Sequence, residues 1–86
     1  MHVNLRHAIL QGADLSNAIL YRANLKSANL KSANLSYADL SGASLYNADL
    51  RGANLTGVKN LTYKQVNECI LDEKEKFWLM FTANIT

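Results

Sequence analysis

From Asn24 to Leu55 the chain repeats itself every five residues: alanine, then asparagine, aspartate or serine, then leucine. Extended to both sides, the leucine centres fall without a gap at Leu5, Leu10, Leu15, Leu20, Leu25, Leu30, Leu35, Leu40, Leu45, Leu50 and Leu55. Two residues before each centre stands an alanine, except for Val3 at the start, and Val58 opens one further unit. A five-residue step turns a helical wheel by about 500°, so these leucines would wander round an α-helix and form no stripe. In extended chain each alanine and its following leucine share a face. The next alanine lies three residues on, so the chain must turn between units to bring it back inside. Constant turning about one interior makes a coil whose successive turns pair like parallel strands, roughly 4.8 Å apart.

This in-register run, from about residue 3 to 58, resembles the pentapeptide repeat family. The resemblance implies an all-β solenoid: a right-handed quadrilateral parallel β-helix of just under three coils, twenty residues per coil. It also implies a short C-terminal α-helical cap. Leucine-rich repeats and calcium-binding nonapeptide repeats require strings that do not occur here. With twenty residues per coil, Leu5, Leu25 and Leu45 stack, as do Leu10, Leu30 and Leu50, then Leu15, Leu35 and Leu55, and finally Leu20 and Leu40.

The register breaks after Val58, with Asn60 in a leucine slot and Leu61 one residue late. The string Thr62, Tyr63, Lys64, Gln65 reads as a capping box, flanked by Leu61 and Val66 as a hydrophobic staple. A helix is expected from about Tyr63 to Cys69, turning Val66, Cys69 and Ile70 toward the last coil. Asp72 to Glu75 starts a second helix carrying Phe77, Trp78 and Phe81. Residues 1–60 are thus expected to form the repeat unit and 61–86 a helical cap with an aromatic tail. At the other end the repeat phase is set from Val3, so the first layer of Val3, Leu5, Ala8 and Leu10 faces water. An uncapped solenoid end needs cover, from a second copy, a partner, a preceding domain or a neighbour's tail.

Composition narrows the function classes. The single cysteine, Cys69, supplies neither a disulfide nor a multi-cysteine zinc site. The longest apolar run, Phe77 to Phe81, is far below the roughly 20 residues of a membrane span, and no signal sequence opens the chain, so a cytoplasmic protein without membrane contact is expected. Net charge is +2, all of it in the repeat, where Arg6, Arg22, Lys26, Lys31 and Arg51 face Asp14, Asp39 and Asp49. Lys59, Lys64, Lys74 and Lys76 balance Glu68, Asp72, Glu73 and Glu75 in the tail. Arg6 and Lys26 stack on one predicted side, below Tyr46. Lys31 and Arg51 stack on the next, above Gln11, with Arg22 near the corner between them. That basic face suits an acidic protein or a phosphate backbone, but the simpler reading is a solvated surface.

No catalytic, cofactor or metal site is expected. Asp14, Asp39 and Asp49 map to three different sides, so no carboxylate pair converges for acid/base chemistry. His2 and His7 lack a third ligand, and Cys69 lacks a neighbouring base. The Asn and Asp residues before the leucines are expected to hold turns through local hydrogen bonds. N-x-Ser/Thr strings at Asn34, Asn54, Asn60 and Asn84 are by-products of the repeat. The aromatic tail either completes the cap or, through Phe77, Trp78, Met80 and Phe81, forms a contact surface. The chain therefore reads as a non-enzymatic scaffold for protein contact, self-associating through an end. Some members of the resembled family mimic duplex DNA and occupy the DNA site of a type II topoisomerase such as gyrase. This chain is slightly basic and spans only about 14 Å of repeat, which departs from that pattern. Weak nucleic-acid binding through the basic residues is a third reading.

Overall fold

The computed structural model describes residues 2–81, with the Phe81 side chain excluded. Twelve positions five residues apart, Asn4 to Lys59, are joined by eight isolated parallel bridges between residues twenty apart, such as Asn4 to Asn24 to Ser44 and Ile9 to Asn29 to Asp49. Four bridge positions per twenty-residue step give four faces, the first around residues 4, 24 and 44 and the others following at five-residue intervals. The expected strands are reduced to single bridge residues, because turns every five residues leave about three extended residues per side. Backbone bonds between coils nevertheless recur on every face: the Asn24 amide donates to the Val3 carbonyl at 2.9 Å, and the Leu5 amide to the Asn24 carbonyl at 2.7 Å.

Each corner is a β-turn in which the alanine amide, or that of Val58, donates back to the preceding leucine carbonyl at 3.0–3.2 Å. The second residue after every repeat leucine from Leu5 to Leu55 has a positive φ while the first does not, which is the form of a type II turn. All four glycines of the chain sit in this slot. Elsewhere it holds Asn, Ser, and even His7, Arg22 and Tyr37, whose side chains make the left-handed conformation cost roughly 1–2 kcal/mol each. The expected side-chain support is present. Oδ1 of Asn4, Asp14, Asn24, Asn29, Asn34, Asp39, Asp49 and Asn54 each accepts the amide two residues on, at 2.9–3.2 Å.

The interior is filled by alanine and leucine through the second and third coils, with Val58 in the last alanine slot, and Leu25, Leu30, Leu35, Leu40, Leu45 and Leu50 are almost fully buried. Full burial of such a side chain contributes roughly 1.5–3 kcal/mol. In the first coil Leu5, Leu10 and Leu15 are only half-buried, since no layer of described residues lies beneath them.

Helix α1 spans Tyr63–Glu68 and α2 spans Glu73–Phe81. The α1 capping box forms as expected: the Gln65 amide donates to Thr62 Oγ1 at 3.2 Å, and the Thr62 amide to Gln65 Oε1 at 2.8 Å. A second box starts α2, with the Glu75 amide donating to Asp72 Oδ1 at 2.7 Å and the Asp72 amide to Glu75 Oε1 at 3.0 Å. One expectation is corrected between the helices. Ile70 does not turn toward the core; it is 42% exposed and bridges Asp49, because Cys69, Ile70 and Leu71 re-enter the coil as one more alanine-x-leucine unit. The bridge spans 21 residues instead of 20, accommodating the extra residue at Asn60, which adopts φ 61°. Leu61 and Leu71 are buried beyond the third coil, joined by Val66 of α1 and Leu79 of α2. Together they close the C-terminal end of the rod.

Candidate functional site

Four basic side chains bracket one face. Arg6 and Lys26 occupy the turns leading into the second face, the one carrying Ile9, Asn29 and Asp49, and Lys31 and Arg51 the turns leaving it. Their charge is partly spent within the chain. Arg51 Nη2 lies 2.6 Å from Asp49 Oδ2 and its Nε 2.9 Å from Oδ1. This pair holds the Asp49 carboxyl below the ordinary aspartate range, and the Arg51 guanidinium correspondingly higher. Lys26 Nζ stands 5.5 Å from the Tyr46 ring centroid. Arg22 is not beside the corner between Lys26 and Lys31. It lies in the turn between the fourth and first faces, with its Cγ packed toward Gly42.

The remaining polar candidates stay dispersed. Asp14, Asp39 and Asp49 bridge on three different faces. Asp14 is held below the usual carboxylate range chiefly by the Ser16 hydroxyl, which donates at 2.6 Å. The His2 ring packs edge-on to Tyr21 at 6.0 Å between centroids. Cys69 is half-buried, its Sγ 3.4 Å from the Val66 carbonyl oxygen, and burial pushes its thiol up to about 11. A thiol so shifted is protonated at neutral pH and makes a poor nucleophile. Among the described residues no group of three or more His, Cys, Asp or Glu side chains gathers to hold a metal ion.

The two ends differ. On α2, Leu79 is the buried residue, while Phe77 and Met80 are exposed at 65% and 58% and Trp78 is partly covered. The Phe81 side chain lies outside the described residues. Between α2 and the third face runs an open groove of about 270 Å3, lined by Ala53 to Thr56, Lys74, Glu75 and Trp78. Burial there raises the Glu75 carboxyl above its ordinary range, against the lowering effect of the Asp72 and Gly52 amides. At the N-terminal end the coil that holds the half-buried leucines also carries two of the most exposed apolar side chains of the molecule, Ile9 and Ile19, at 86% and 82%. Reading the sequence marked this end as an uncapped layer of Val3, Leu5, Ala8 and Leu10 but did not single out Ile9 and Ile19. The available signal was isoleucine at positions 9 and 19, where most other units carry Asn or Asp.

Among the described residues no helix is long and apolar enough to cross a membrane. The family profile described as Pentapeptide repeats matches in eight copies over residues 1–36 and 23–59. No curated protein matches the sequence. Among solved structures the chain is similar to the crystal structure of alr5209, a pentapeptide repeat protein from Nostoc PCC 7120. Identity is 34% over 99% of this chain and 76% of that one, with a TM-score of 0.39. With the profile covering the whole run of stacked units, the chain belongs to the pentapeptide repeat family.

Proposed function

We propose that this protein is a non-enzymatic scaffold, a right-handed β-helical rod in which residues 1–60 form the repeat unit and 61–86 the helical cap and tail. It acts in the cytoplasm and presents its flat faces and its ends to protein partners. The observation that carries the reading is the apolar surface of α2. Leu79 takes the buried position against the coil, which leaves Phe77 and Met80 outward on a short helix. Aromatic residues and methionine are enriched in the cores of protein interfaces. The solenoid behind them is filled chiefly with alanine and leucine, and Asp14, Asp39 and Asp49 bridge on three different faces, which supports a role through shape and surface.

Photo-crosslinking tests this reading, with probes placed singly at Met80 on α2, Asn29 on the second face and Asn34 on the third. Capture of one defined protein from one surface, lost on Phe77→Lys, supports it. Equal capture from all three positions, or none, refutes it. The rival readings fit less well. Mimicry of DNA calls for a long acidic surface, whereas this rod measures 33 × 21 × 21 Å and carries a net charge of +2. Nucleic-acid binding through Arg6, Lys26, Lys31 and Arg51 is weakened by the Asp49 carboxylate set among them. Affinity for duplex DNA falling steeply between 50 and 200 mM salt would favour that reading instead.

A further inference from the structure

The N-terminal edge of the coil carries a set of backbone groups that no described residue meets. In every later coil the bridge residue turns both its N–H and its C=O down onto the coil beneath. Asn24, for example, donates to Val3 and accepts from Leu5. By the same geometry Asn4, Ile9, Asp14 and Ile19 point N–H and C=O outward from the end of the rod, and none of these eight groups has a backbone partner among the described residues. Unpaired strand edges of this kind are templates for pairing with another chain.

We propose that this edge pairs with the same edge of a second copy, head to head, closing the rod by antiparallel backbone hydrogen bonds. The ring of groups is complementary to itself. A two-fold axis across the rod reverses strand direction, so each residue offering both N–H and C=O meets another offering both. That is the hydrogen-bonded pair of an antiparallel ladder. Such an axis also maps a helical coil onto one of the same hand, so the step where one coil begins is matched by the step of its partner. The half-buried layer of Leu5, Leu10 and Leu15 is covered at the same time, and Ile9 and Ile19 supply β-branched side chains for cross-strand contact. The arrangement stops at two copies, because the opposite end is closed by α1, α2 and the Cys69–Leu71 return.

A rod 21 Å across presents roughly 440 Å2 of end, so the dimer buries about 900 Å2 in all, below the size of a standard stable interface. Association is therefore weak and concentration-dependent, half complete between about 0.01 and 1 mM. The inference rests on the scaffold fold and is independent of the α2 contact surface, whose crosslinking test does not involve this end.

The experiment combines sedimentation equilibrium with amide hydrogen exchange on the full chain, from about 5 µM to 1 mM. The expected result is a mass rising from one chain toward two, with the amides of Asn4, Ile9, Asp14 and Ile19 slowing at least twofold at the high concentration. The double variant Ile9→Lys/Ile19→Lys places charge on two highly exposed positions. It is expected to keep the dilute-state melting temperature while staying monomeric throughout. A wild-type chain that remains monomeric at 1 mM overturns the proposal. So does a dimer whose new protection lies on α2, or one that the double lysine variant forms equally well.

Discussion

Gln65 is the residue on which the C-terminal closure turns, and its replacement by leucine or glutamate tests how that closure works. Its side-chain amide is buried, with Nε2 donating to the Leu40 carbonyl at 2.8 Å and to the Ala43 carbonyl at 2.9 Å, while Oε1 accepts the Thr62 amide at 2.8 Å. On the first face of the lower coils, the carbonyl equivalent to Ala43 accepts a backbone amide from the coil above, as Ala23 does from Ser44. Above Ala43 the chain has become α1, so a side chain takes over the bond. In Gln65→Leu the Leu40 carbonyl keeps the Ala43 amide at 3.0 Å, but the Ala43 carbonyl is left without a donor among the described residues and the capping box loses one arm. An orphaned buried carbonyl costs about 1–3 kcal/mol and half a cap about 0.5–1, against roughly 1–2 regained by burying a leucine side chain. The net expectation is a loss of about 1–2 kcal/mol. Gln65→Glu is more demanding, because an ionised carboxylate would set an oxygen against two carbonyl oxygens in a buried site, and a loss above about 3 kcal/mol is expected at pH 7. Burial raises the folded-state pKa of that carboxyl above its unfolded value. The variant is therefore relatively most stable below the unfolded pKa, near 4.3, and loses that stability as pH rises through the folded pKa. Urea unfolding of wild type and both variants from pH 4 to 8 measures this. A Gln65→Glu loss under 0.5 kcal/mol at pH 7, or one that does not shrink toward pH 4, refutes the argument.

Other substitutions probe the rest of the rod. Leu30→Ala, in the fully buried middle layer, is expected to cost about 3–5 kcal/mol by cavity formation, while Leu10→Ala in the half-buried first coil costs less than half as much; equal costs by chemical denaturation would mean the first coil is covered. Gly57→Ala drives a Cβ into the Tyr37 ring at a φ of +66°, and a loss of about 1–3 kcal/mol in a melting experiment is expected. Cys69 should resist iodoacetamide at pH 8 and react as pH approaches 11. Its folded pKa lies above the unfolded value, so its contribution to stability is complete below about pH 9 and lost as pH rises through 11, a drop that Cys69→Ala should lack. Leu79→Ala is expected to destabilise by about 2–4 kcal/mol, and Phe77→Ala by less than about 0.5; the reverse order would show that the outward side of α2 has been assigned to the wrong residue.

Much of the architecture was legible in the sequence because it depends on local, repeated choices. The five-residue period excludes a helix, and alanine and leucine two apart define an inside. The Asx positions hold their turns through bonds spanning only two residues. The type II corners were written there too, in the placement of all four glycines two residues after a leucine. The break at Asn60 and the capping box at Thr62 to Gln65 were readable for the same reason, since a helix start is a local event. What tertiary structure decided involves residues brought together from far apart. Gln65 could be read as half of a cap, but not as the donor to carbonyls 22 and 25 residues earlier. Cys69–Leu71 looked like the end of a helix and became a rung, because Ile70 found the free edge above Asp49. In the run from Phe77 to Met80, hydrophobicity alone could not rank the side chains, and only the seating of α2 on the coil buried Leu79 and left its neighbours outward. The edge at Asn4, Ile9, Asp14 and Ile19, unpaired among the described residues, is of the same kind. Every backbone carries donors and acceptors, and only the stacking direction determines which of them are left over.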